Sequence, residues 1–173
     1  MKLVQKIGQM AVLLCLVMGI GMTRLLAQTV GSATLTISLS DVLQLTVNTN
    51  AVNLNFATAA NYNNGVSSTV SNQLTVTSNR AYDLSVRAAT PDLVNGINVI
   101  PIGNVAVQTV NLVGGSPKVI SALTTTNQTL ATGLPATTSS SVNIQYSTAA
   151  GNTAFLKPAG AYVTTLTFTV VAL

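Results

Sequence analysis

Apolar residues recur at every second position through most of this chain, and that spacing limits what it can fold into. The clearest case is Gly160–Leu173, GAYVTTLTFTVVAL. Tyr162, Leu166, Phe168 and Val170 share one parity with Thr164, while Thr165, Thr167 and Thr169 fall between them. A period of two puts the first set on one face of a strand and the threonines on the other. β-branched and aromatic side chains suit such a half-buried pleated surface.

The same alternation appears at Ala33–Leu39 (Leu35, Ile37, Leu39) and at Val42–Val47 (Leu43, Leu45, Val47). It returns at Val52–Phe56, Val70–Thr77, Tyr82–Val86 and Val142–Tyr146. Turn chemistry separates these runs: Asn48-Thr49-Asn50, Asn64-Gly65, Asn95-Gly96, Gly114–Pro117 and Ala149–Asn152. Ala57–Ser68 reads as a loop packed down by Tyr62, and Pro101 pushes Ile97–Ile102 to a sheet edge. Asn72–Ala88, NQLTVTSNRAYDLSVRA, reads as a hairpin. Outside the first 27 residues no segment has a helical period. The expected fold is all-β, an antiparallel Ig-like β-sandwich of about 8–10 short strands.

Residues 1–27 read as a secretory signal peptide. Lys2 and Lys6 give a basic start, Met10–Met22 is an unbroken apolar run, and Leu25-Leu26-Ala27 precede a cut before Gln28. Thirteen apolar residues fall short of the ~20 that span a bilayer, so no retained membrane span is expected. The only cysteine, Cys15, lies inside that run, so residues 28–173 must fold without disulfides. About 146 residues suffice for one β-sandwich domain, because a chain of that size buries ~70% of its unfolded surface. The expected location is secreted: extracellular or on the surface of a bacterium, with a periplasmic stage.

Charge and side-chain chemistry narrow the function. After Gln28 the basic residues are Arg80, Arg87, Lys118 and Lys157, and the acidic ones Asp41, Asp83 and Asp92, a net of +1. No basic patch is present to contact phosphates, so no nucleic-acid partner is expected. The same stretch has no His, Cys or Glu. A Ser-His-Asp or Cys-His site cannot be built from it, and zinc would lack its usual ligands. Asp83 and Asp92 read as solvated charges rather than a catalytic pair, and no clustered Asp loop suggests calcium. Gly114-Gly115 lacks the lysine of a phosphate loop, and Asn127-Gln128-Thr129 is an isolated glycosylation triplet. The chain is therefore expected to be no enzyme and to need no cofactor. Tyr62, Tyr82, Tyr146 and Tyr162 either line a sugar-binding surface or pack at the core margin with their hydroxyls wet.

Three stretches resemble secreted pilin-like subunits, the spore coat protein U-like group and its relatives in chaperone–usher fibres. Val52–Ala59, VNLNFATA, looks like an early strand of that group, and Asn72–Ala88 is similar to its central hairpin. Gly160–Leu173 looks like its terminal strand, with Gly160 and Tyr162 matching a Gly-x-Tyr opening. The chain departs from the group in having no cysteine after Gln28 and Ala172 where a tyrosine is common. The resemblance implies an incomplete Ig-like fold completed by a neighbour's strand. Ala33–Leu39 either pairs within its own domain or serves as that donated strand.

The expected role is a non-enzymatic secreted surface or matrix subunit, assembling into a pilus-like fibre through strand edges or strand donation. The candidate assembly residues are Leu35, Ile37, Leu39, Leu166, Phe168 and Val170. The expected partners are other copies or related subunits, and a secretion chaperone. The alternative role is a monomeric adhesive module that binds carbohydrate or protein.

Overall fold

The alternating runs become strands in two antiparallel sheets, and a computed structural model describes residues 29–173. The leader read at residues 1–27 lies outside the described residues. In chain order the strands are β1 (Leu43–Val47), β2 (Ser67–Ser78), β3 (Tyr82–Ala88), β4 (Asp92–Asn95) and β5 (Asn98–Pro101). There follow β6 (Val105–Val110), β7 (Ser116–Pro117), β8 (Val119–Ile120), β9 (Gln128–Leu134), β10 (Thr137–Thr148) and β11 (Leu166–Ala172). One sheet runs β1-β2-β10-β6-β8 and the other β11-β3-β9-β7, with β4 and β5 forming a separate hairpin. The sandwich lies within Leu39–Leu173, a unit of its own, and residues 29–38 form no helix or strand.

The two sheets meet over the predicted faces. Leu74, Val76, Leu84, Val86, Val107, Val142 and Ile144 are fully buried, and their neighbours of opposite parity are mostly Thr, Ser, Asn and Gln, with Asp83, Arg87 and Ala106 among them. At ~25 cal/mol per Å² of apolar surface removed from water, these contacts supply the main drive to fold. The outward threonines leave the surface polar with few charges.

Four expectations change. Asn72–Ala88 is no hairpin: β2 and β3 lie in different sheets, joined by Asn79–Ala81. Ser78 Oγ donates to the Arg80 carbonyl at 2.7 Å and accepts from the Arg80 N–H at 3.2 Å, which bends the chain across the core. Two amphipathic strands can bury their faces against each other as readily as side by side, and alternation does not distinguish the two.

Val52, Leu54 and Phe56 alternate in burial as expected but, among the described residues, pair with no strand. Phe56 instead stacks on Phe155 with ring centroids 4.6 Å apart and meets Tyr62 at 5.2 Å.

The Ala57–Ser68 loop contains a short helix, α1 (Ala59–Asn64). Thr58 and Asn61 form a reciprocal cap at its start, which satisfies N–H groups left open by the first turn. Gly65 ends it at φ 76°, where a Cβ would collide with the Thr148 carbonyl. Six residues carry too few apolar positions for a period to show in the sequence.

The terminal strand is shorter than the Gly160–Leu173 alternation. β11 begins at Leu166, and before it only Val163 bridges to Val94.

β2 also carries a wide bulge. Ser71, Asn72 and Gln73 lie opposite Asn143 alone, with Asn72 at φ 51° donating its N–H to Asn143 Oδ1 at 2.7 Å. Gln73 and Leu74 are consequently both buried. The Gln73 amide is held there: Tyr146 Oη donates to its Oε1 at 2.9 Å, and its Nε2 donates to the Thr49 carbonyl at 3.3 Å.

Candidate functional site: an open side of the sandwich

β1 and β11 are the edge strands on one side of the two sheets, and they approach each other there. Ladder partners on adjacent strands share a face. Leu43, Leu45 and Val47 pair with Ser78, Val76 and Leu74, all buried, so these β1 side chains point to the core side. Leu166, Phe168 and Val170 pair with Ala88, Val86 and Leu84, again all buried, so they too face the core.

Core-facing residues on a closed sandwich should be dry, and these are not. Leu43 is 39% exposed and Val47 45%, whereas Val76 and Leu74 are at 0%. Leu45, Leu166, Phe168 and Val170 are half-buried against the core, together with Val52 and Leu54. The result is an apolar trough between two sheet edges.

Among the described residues β11 pairs with β3 alone and β1 with β2 alone. Neither strand contains Pro or a charged residue, the usual blocks to edge pairing.

The structure therefore places Leu166, Phe168 and Val170 together in the trough. Leu35, Ile37 and Leu39 belong to no strand and are 84%, 74% and 87% exposed. The alternation in Ala33–Leu39 is thus left without a ladder partner among the described residues.

Other features are less suited to a site. Tyr82 and Tyr146 are buried, only 1% and 2% exposed, so they cannot line a sugar-binding surface. Burial raises the Tyr146 hydroxyl pKa far above its ordinary value against the smaller opposing effect of Gln73, and burial also raises Tyr82 against Ser140. Tyr162 is half-buried and donates to the Pro158 carbonyl at 2.9 Å. Asp83 accepts from the Gly133 N–H at 2.9 Å, and Asp41 pairs with Arg80 at 3.2 Å. A shallow cleft beside Asn104, Ser147 and Asn152 is lined by small and amide side chains, with no charged or aromatic group. Among the described residues no group of three His, Cys, Asp or Glu could hold a metal ion.

Asn79 and Arg80, at the end of the trough, escaped the sequence reading. They look like ordinary turn residues, and only the fold brings them beside Ser40–Val42 and Leu173. Compared with family models and with curated proteins, the chain matches none.

Proposed function

We propose that this chain is a non-enzymatic structural subunit of a bacterial surface or matrix fibre, secreted and assembled by strand donation. The observation that carries the reading is the half-wet state of Leu43, Val47 and Phe168 on core-facing positions of β1 and β11. The occupant that fits is the Ala33–Leu39 segment of a second copy. It spans seven residues, as β11 does, or about 23 Å at strand rise. It presents Leu35, Ile37 and Leu39 at the spacing of Leu166, Phe168 and Val170. A donated strand would pair with a free edge and close the trough, and each Leu or Ile taken from water contributes roughly 1.5–3 kcal/mol. Repeated head to tail, such a contact does not close on itself and builds a fibre.

The test is mass in solution by light scattering for the chain expressed from Met1, beside one starting at Val42. The expected outcome is multimers from the first and monomers from the second. Stable monomers from both would overturn the reading.

A further inference from the structure

A segment that fits a neighbour's trough also fits its own, and a fibre subunit must avoid that. The hydrogen bonds at Ser40–Val42 bear on this choice. One side chain, Asn79, makes both contacts: its Nδ2 donates to the Ser40 carbonyl at 2.8 Å, and its Oδ1 accepts from the Val42 N–H at 2.9 Å. The Asn79 N–H donates to the Val42 carbonyl at 3.2 Å. In an extended strand, residues two apart present their C=O and N–H groups to the same side. The Asn79 amide thus acts as one more rung of the β1–β2 ladder, beyond the Leu43–Ser78 pair. Arg80 adds a second hold, pairing with Asp41 at 3.2 Å and donating to the main-chain oxygen of Leu173, just past β11.

We infer that Asn79, supported by Arg80, is the positioning residue that commits the lead to a second copy of the chain. The inference rests on the strand-donation reading above. To lie in its own trough, Ala33–Leu39 has to turn back beside β1 at Ser40–Val42. Asn79 ties Ser40 and Val42 to the end of β2. The lead itself, ATLTISL, has no Gly, Pro, Asn or Asp with which to turn earlier. With Ser40–Val42 tied to Asn79, the turn that would carry the lead into its own trough is opposed, and the lead is left for a neighbour's.

The experiment uses the chain expressed from Met1, with light scattering for mass and hydrogen exchange to follow amides 33–39. Asn79→Ala is expected to lower the multimer fraction at least tenfold and to yield monomers whose lead amides are protected, because the lead now folds back. A second variant, Ser40→Asn with Asp41→Gly, installs a two-residue turn and removes the Asp41–Arg80 pair while leaving the Asn79 side chain in place, and the same shift is expected. A merely structural Asn79 would lower stability without protecting the lead. If both variants assemble as the parent does, or give monomers with an unprotected lead, this inference falls and strand donation stands. If the parent chain is itself monomeric at every concentration, strand donation falls and takes the inference with it.

Discussion

At Lys118 the chain steps from β7 in one sheet to β8 in the other, and the Lys118 N–H donates to the Leu130 carbonyl at 2.8 Å. That side of the sandwich is closed by the chain itself, and Pro117 and Lys118 discourage a further strand from adding there. On the opposite side β1 and β11 face each other with no such crossing, no proline and no charge. Both sides border the same core, so the difference lies in edge chemistry and not in core composition. Blocking one side and leaving the opposite one half-wet is what the proposed strand donation needs: one place to receive a strand, and one exposed segment to give.

The comparison can be broken most sharply at the lead. Ile37→Asp should abolish multimers, since a carboxylate entering the trough would be desolvated without a partner. Ile37 is 74% exposed, so the monomer's unfolding free energy should stay within about 0.5 kcal/mol of the parent. Multimers of undiminished size would show that the lead is not the donated strand.

Next in size is a pair of truncations read by urea unfolding of monomers. Leu84→Ala, at a fully buried site, should cost about 3 kcal/mol. Leu43→Ala, at an edge site 39% exposed, should cost only about 1 kcal/mol. Equal losses would mean that the β1/β11 side is already closed in solution.

The third concerns the buried Tyr146–Gln73 contact beneath the bulge. Tyr146→Phe removes the donor to Gln73 Oε1 and should cost about 1–2 kcal/mol at neutral pH. Burial holds the folded pKa of Tyr146 above its unfolded value, so the protein binds more protons folded than unfolded in alkali. The resulting contribution is fully present below about pH 10 and is lost as pH rises above it. The variant should show a shallower fall in stability above pH 10, and an unchanged slope would remove Tyr146 as its cause.

The smallest effect is expected on the closed side. Pro117→Thr combined with Lys118→Thr should change stability by no more than about 0.5 kcal/mol but raise side-by-side association at high concentration. No added association would mean that the chain crossing alone protects that side.

Much of this was legible in residue order, for a physical reason. A strand buried on one face must alternate, so Leu84/Val86, Val142/Ile144/Tyr146 and Leu166/Phe168/Val170 announced both their conformation and their buried face. The missed elements had no such signature. α1 depends on one reciprocal cap, and the β2 bulge on Asn72 adopting a left-handed conformation. The hairpin expected at Asn72–Ala88 failed because Ser78 and Arg80 turn the chain over the core instead of back along the sheet. The candidate site was half legible. Its apolar residues stood out, while Asn79 and Arg80 acquire meaning only through Ser40, Asp41 and Leu173, up to 93 positions away.

The sequence by itself determined an all-β chain with polar outward faces and an alternating lead, because side-chain period is a local property of the backbone. Only the tertiary structure decided which strands are neighbours, that β1 and β11 end on the same side, and that their inward residues stay half-wet. Strand order, edge exposure and the grip of Asn79 on Ser40–Val42 arise from contacts between residues far apart in the chain, and no local pattern carries that information.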